Sequence, residues 1–269
     1  MSNGCLLFAF NNSTIDYIKL ANASASNIKR HLSLPTTLVT DSNVDFNHDF
    51  DQIIVVDKPN HGYRHFADYN KKVKWFNYGR HLAYGLSPYN RTLLLDVDYI
   101  VSSSQLKMLF DLDNDFLCHR TSTDITGKCF KSSNFFGLYN MPMFWATVVY
   151  FTKTEISKCI FDTMKMVQDN YPHYANLYNF KHHPFRNDYA LSIALNINSG
   201  HCVNSNEYDI PWDLMAVMPE NQITRVKDDS YEIVYPQLTS NRTHDVRVIV
   251  QDKDLHVMGK KYLEDIYEN

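Results

Sequence analysis

Apolar and polar positions along the first half of this chain switch repeatedly between a strand-like and a helix-like period. Cys5-Leu6-Leu7-Phe8-Ala9-Phe10 is a continuous apolar run, short enough for a strand buried on both faces. Ile15, Ile18, Ala21, Ala25, Ile28 and Leu32 then recur at helical spacing, with Ser13 or Thr14 placed to cap the helix and Pro35 to close it. Leu38-Val39 ending at Asp41, and Ile53 to Val56 before Asp57, predict two further strands, the latter followed by a loop through Lys58-Pro59-Asn60-His61-Gly62. A helical pattern covers Asp68 to Leu86 through Val73, Phe76, Leu82 and Ala83, and Ser87-Pro88-Tyr89-Asn90 ends it. Thr92-Leu93-Leu94-Leu95 has the unbroken apolar character of a central parallel strand, and Asp96-Val97-Asp98 stands at its carboxyl end.

The second half predicts a strand over Thr147 to Thr152, a helix over Glu155 to Gln168 and a helix over Asp188 to Asn196. Between the two helices, Asn170 to Pro184 reads as an irregular aromatic and histidine-containing loop over a cleft. A short strand over Val246 to Val250 and a polar run through Asp252-Lys253-Asp254 lead into His256. Alternating strands and helices are the mark of βα units, so the expected fold class is α/β, a mostly parallel central sheet flanked by helices in a single domain.

Composition narrows the chemistry. Only 8 glycines stand among 269 residues, and none forms the Gly-rich loop that cradles phosphates in P-loop or dinucleotide sites, whereas 18 Tyr and 16 Phe indicate a core built on aromatic packing. A net charge of -4 offers no global attraction to a nucleic-acid backbone. Cys5, Cys118, Cys129, Cys159 and Cys202 are odd in number and lack a Cys-x-x-Cys pairing, which argues against a zinc site or a disulfide framework and for a reducing, cytoplasmic setting. No apolar run reaches the length of a membrane span and no basic leader precedes Cys5, so no membrane partner is expected.

Asp96 and Asp98 lie two apart after an apolar strand. In a continuing strand they would share a face, and a turn after Asp96 would spread them around one point; either arrangement holds a hard cation. Ligands of open α/β sheets bind at the carboxyl ends of the strands, which is where this pair falls. Two carboxylates, completed by diphosphate oxygens and water, suit Mg²⁺ or Mn²⁺. A solvated strand terminus would show the same two acids without a ligand.

The segment from Arg80 to Val101 resembles the glycogenin-like group of GT-A glycosyltransferases, because Arg80, Tyr84, Leu86, Tyr89 and Asp96 fall at that family's spacings ahead of its Asp-x-Asp motif. The resemblance implies a nucleotide-sugar-binding half over residues 1–101 and an acceptor-side half with a metal-ligand tail over 102–269. It implies a UDP-sugar donor contacted by Arg80, uracil held by Phe10, Asn11 and Tyr17, and a diphosphate and metal at Asp96, Val97 and Asp98. Tyr17 lies two residues farther along than in the family. Asp254-Leu255-His256-Val257-Met258-Gly259-Lys260-Lys261 is similar to the family's His-x-x-Gly motif, implying His256 as third metal ligand, Gly259 beside it, and Lys260 or Lys261 on the diphosphate. The lysine comes early relative to the family pattern. Trp145-Ala146-Thr147-Val148-Val149 stands where the family has an acceptor-side strand, without its Asn and Gly. Asp188 resembles an acid that faces the reaction centre, although an Asp opening an apolar helix is also the usual helix cap.

The implied activity is metal-dependent transfer of a sugar to an acceptor hydroxyl, with retention of configuration favoured and Asp188 the candidate base if the reaction inverts. The acceptor would be a glycan or a hydroxylated base of viral DNA, the latter on the basic and aromatic run Lys181-His182-His183-Pro184-Phe185-Arg186. A haloacid-dehalogenase-type phosphatase also uses Asp-x-Asp, but on its first strand, and here three strands precede it. A non-catalytic nucleotide-sugar binding module is the alternative outside enzymology.

Overall fold

The apolar runs become strands because each can be buried only if its backbone is paired, and the computed structural model shows how they pair. It describes residues 2–41, 49–57, 63–65, 72–74, 79–129, 135–138, 140–180, 183–202, 207–239 and 242–268, with backbone alone for 63–65, 72–74, 239 and 268. Strands are β1 (Asn3–Phe8), β2 (Thr36–Thr40), β3 (Gln52–Val55), β4 (Tyr63–His65), β5 (Lys72–Lys74), β6 (Arg91–Leu95), β7 (Tyr99–Ile100), β8 (Phe116–His119) and β9 (Ser122–Asp124). They continue with β10 (Phe135–Phe136), β11 (Met141–Pro142), β12 (Trp145–Thr152), β13 (Leu214–Val217), β14 (Gln222–Lys227), β15 (Ser230–Thr239), β16 (Arg242–Gln251) and β17 (Leu255–Val257). Helices are α1 (Tyr17–Leu32), α2 (Ala83–Leu86), α3 (Glu155–Asp169), α4 (Tyr171–Leu177), α5 (Asn187–Asn198) and α6 (Lys261–Glu268).

The central sheet runs β3-β2-β1-β6-β12-β8. β1, β2, β3 and β6 are parallel, while β12 is antiparallel to both of its neighbours, so the sheet is mostly parallel as expected with one reversed strand. β6 and β12 are buried nearly throughout, which is why both read as unbroken apolar runs. One core layer packs α1 and α6 against the sheet and the other packs α3 and α5. A second sheet, β7-β17-β13-β9, stands past the carboxyl end of β6, and β14-β15-β16 form an antiparallel ribbon.

Several local expectations change. Asp16, rather than Ser13 or Thr14, caps α1 through its carboxylate and the Lys19 N–H. The helix expected over Asp68 to Leu86 is a strand at β5, a 3₁₀ turn at Arg80–Leu82 and one short helix, α2. Residues 68–71 and 75–78 of that segment, like the Lys58–Gly62 loop, lie outside the described ones. Asn170 to Pro184 contains α4, started by Pro172 in the first turn where its missing N–H costs nothing. The strand at Val246 to Val250 is the middle of the ten-residue β16. None of the five cysteines forms a disulfide. Among the described residues no helix is long and apolar enough to cross a membrane.

Candidate active site

β6 ends at Leu95 and the chain turns at once. The Asp96 N–H donates to the Thr147 carbonyl on β12 at 2.9 Å, and the Tyr99 N–H donates back to the Asp96 carbonyl at 3.1 Å. Of the two arrangements open to the motif, this is the turn: Asp96 and Asp98 line one cleft, and the intervening Val97 side chain is buried in the core. The cleft, of about 650 Å³, is bounded by Arg80, Trp145, Arg186, Asp188, His256 and Lys260 among others.

The tail reaches the motif through the second sheet. β17 pairs antiparallel with β7, setting His256 opposite Tyr99, and the Val257 N–H donates to the Asp98 carbonyl at 2.9 Å. The His256 Nε2 then stands 3.7 Å from Asp98 Oδ1, and Lys260 Nζ 2.6 Å from Asp98 Oδ2. Gly259 sits in tight packing: a Cβ there would come to 3.3 Å from the Pro219 carbonyl oxygen. Lys260 is the lysine that faces the cleft; Lys261 is exposed and lies over the Tyr262 ring instead.

One ligand atom from each of Asp96, Asp98 and His256 lies within 4.8 Å of the other two. Asp98 Oδ1 and His256 Nδ1 are buried with no hydrogen-bond partner, an arrangement that leaves polar atoms desolvated at a cost of about 1–3 kcal/mol each unless a ligand satisfies them. Two carboxylates and an imidazole are a donor set for Mn²⁺ or Mg²⁺. Burial pushes the Asp96 carboxyl up from its ordinary value, the neighbouring Asp98 charge adds to this, and Arg80 opposes it. Burial would raise Asp98 as well, but Lys260 and His256 beside it hold it below the usual carboxylate range. Burial also lowers His256, favouring the neutral imidazole that ligates metals, and Asp98 raises Lys260 so that it stays charged.

Arg80 is not a surface cation. It is 1% exposed, and its guanidinium donates to Asp96 Oδ1 at 2.7 Å, to the Ala146 carbonyl at 2.5 Å and to the Thr147 carbonyl at 3.4 Å. The other side of the Ala146 residue is held by Asp188, whose Oδ1 accepts the Ala146 N–H at 2.9 Å. A single run of hydrogen bonds therefore joins Asp96, Arg80, Ala146 and Asp188 across the floor of the cleft. Asp188 does not cap its helix: the capping position of α5 is Arg186, without a side-chain cap, and Asp188 sits in the first turn. Its Oδ2 pairs with Arg186 at 2.7 Å, and the Arg186 guanidinium lies 5.9 Å from the Trp145 ring and 5.5 Å from the Tyr189 ring.

The residues expected to hold a base lie at the margin. Phe10 is buried against Phe8. Asn11 organises the approach to α1, donating to Asp16 and accepting from the Ile18 N–H. Tyr17, first in α1, is half-buried; burial raises its hydroxyl, and Lys260, Asp98 and Asp96 all act on it, which puts it on the motif's side of the sheet. Pro219, Met258 and Tyr189 line the cleft without having been anticipated. The first two arrive through pairing of strands far apart in sequence and carry no local signal; Tyr189, next to Asp188 at the start of an apolar helix, did.

No protein-family model matches the chain, and no curated protein matches it. Among solved structures it is similar to the glycosyltransferase GlyE of Streptococcus pneumoniae, at 14% identity and a TM-score of 0.44, covering 77% of this chain and 45% of that one. It is also similar to the galactosyltransferase LgtC (14% identity, TM-score 0.46, 72% and 69% covered) and to mouse xyloside xylosyltransferase 1 (11%, 0.46, 75% and 83%). The chain thus spans less than half the length of GlyE. At such low identities and scores these likenesses do not fix the chemistry, which has to come from the side chains in the cleft.

Proposed function

We propose that this chain is a metal-dependent glycosyltransferase that takes a UDP-sugar as donor and passes its sugar to an acceptor hydroxyl. The observation that carries the reading is the convergence of Asp96, Asp98 and His256 within 4.8 Å of one another, with Lys260 at 2.6 Å from Asp98, in one cleft at the carboxyl end of β6. Those three residues would hold a divalent cation, which when bound would supply the positive charge that neutralises a departing nucleoside diphosphate. Arg80, buried and forked between Asp96 and two β12 carbonyls, opposes the rise that burial imposes on Asp96 and aims its carboxylate; it acts on the donor through Asp96. Lys260 brings a permanent cation to the same cleft and adds to leaving-group stabilisation. Phe10, Asn11 and Tyr17, at the amino end of α1, are assigned to the base, and Gly259 to the close packing that lets Lys260 approach.

Asp188 stands on the opposite wall with both oxygens engaged, one by Ala146 and one by Arg186. An oriented carboxylate there stabilises positive charge developing on the transferring sugar, or accepts the acceptor's proton if the reaction inverts. A glycan acceptor is favoured over a DNA base, since Arg186 is already neutralised by Asp188 and the chain is net acidic. A phosphatase reading would need Asp96 free to attack, and Arg80 holds it.

The test is slow hydrolysis of a panel of nucleotide sugars with Mn²⁺, followed by release of the nucleotide. Cleavage of a UDP-sugar that stops on chelation is expected. Binding of a nucleotide sugar without any turnover, even with acceptor glycans added, would favour the non-catalytic binding module.

A further inference from the structure

The ribbon β14-β15-β16 ends in an unusually open edge. β14 pairs with β15 only as far as Val234, whereas β15 and β16 stay paired from Ser230–Gln251 out to Thr239–Arg242. The outer half of the hairpin therefore projects past β14, and among the described residues no strand lies beyond β16. β16, ten residues long, presents alternate backbone groups to an outer edge that no described strand pairs, and such an edge is normally blunted or covered. β16 has no proline, and its exposed face carries Asp245, Arg247 and Ile249, the last 64% exposed.

We infer that β16 pairs antiparallel with β16 of a second copy of this chain, about a two-fold axis at Val246. The charge pattern selects that occupant and that register. In an antiparallel ladder, opposite residues share a face, so a two-fold pairing must be centred on a residue. Centring on Asp245 or Arg247 would set like charges against each other. Centring on Val246 sets Val246 against its own copy and Asp245 against Arg247 of the other copy, twice by symmetry, and opposite charges facing each other across strands are favourable. Asp245 makes no ion pair among the described residues, and Arg247 reaches Glu232 with one nitrogen at 3.1 Å, leaving the rest of its fork available. The axis falls where β14 has already ended, opposite Tyr235, so the two bodies are kept apart by the projecting ribbons.

Sedimentation across a concentration series, with a charge swap, tests this. Wild type should show a reversible dimer. Asp245→Arg alone, which opposes Arg247 of the other copy, should weaken dimerisation at least about tenfold, and Asp245→Arg with Arg247→Asp should restore it. Val246→Cys should add a disulfide-linked dimer under mild oxidation that wild type lacks. A wild type that stays monomeric at every concentration, or a dimer indifferent to the single reversal, overturns the inference; neither result bears on the cleft.

Discussion

The Asp96-Asp98-His256 cluster has two halves built in opposite ways. Asp96, Asp98 and their brace Arg80 belong to one short stretch of chain, anchored on the buried strand β6 and locked to the carbonyls of β12. His256 arrives from the far end of the sequence on a three-residue strand held between β7 and β13, and Lys260 follows in the turn just beyond it. The first half is fixed by the core, so disturbing it should damage fold and function together. In the second, Leu255 and Val257 anchor the strand in the core while the His256 and Lys260 side chains themselves are held by attraction to Asp98, so those two side chains should be separable from the fold.

The sharpest way to break this comparison is on the motif side. Asp96→Ala should reduce sugar-donor turnover by about 10²–10³-fold, the scale seen when one electrostatic stabiliser is removed. Arg80→Met should leave Asp96 without its cation and destabilise the protein by roughly 3 kcal/mol in denaturant melts, lowering turnover as well. On the tail side, His256→Ala should weaken Mn²⁺ binding by about 10–100-fold while the denaturation midpoint of the metal-free protein hardly moves. If His256→Ala unfolds the chain and Arg80→Met does not, the distinction between the halves is wrong.

Protonation sharpens it further. Asp96 is raised by burial and Asp98, and a bound cation must displace its proton, so Mn²⁺ affinity should climb with pH above the ordinary carboxylate value of about 4. In the metal-free protein the raised Asp96 favours the fold when protonated, a contribution present at acid pH and lost as pH rises through its folded value. Asp98, held low by Lys260 and His256, acts in the opposite sense: its contribution is present above its ordinary value and lost on acidification. Melts of Asp96→Asn across pH should lack the first contribution and keep the second. The smallest effect belongs to the lysine pair: Lys260→Ala should cost about tenfold in turnover, and Lys261→Ala next to nothing.

The same contrast explains what was legible in the sequence. β1, β2, β6 and β12 announce themselves as runs buried on both faces, α1, α3 and α5 by a face with a regular period, and the acid pair at the end of β6 follows from that reading. The 3₁₀ turn at Arg80 and strand β5 were read as one helix because apolar spacing alone cannot tell a helical run from a strand followed by a turn. β14 and β15 were missed since their alternation is diluted by exposed polar residues. Arg80 was located, but its burial was not, because burial depends on carbonyls of β12, far along the chain. That Lys260 rather than Lys261 faces the cleft shows only in the contacts, Lys260 on Asp98 and Lys261 over the Tyr262 ring, which no local spacing distinguishes.

Calorimetric titration of UDP into the protein, with and without Mn²⁺, for wild type and Asp98→Ala, tests the central claim most directly. UDP binding that requires Mn²⁺ in wild type and vanishes in Asp98→Ala is the predicted result. UDP binding of equal strength without the metal, retained in Asp98→Ala, would contradict the account.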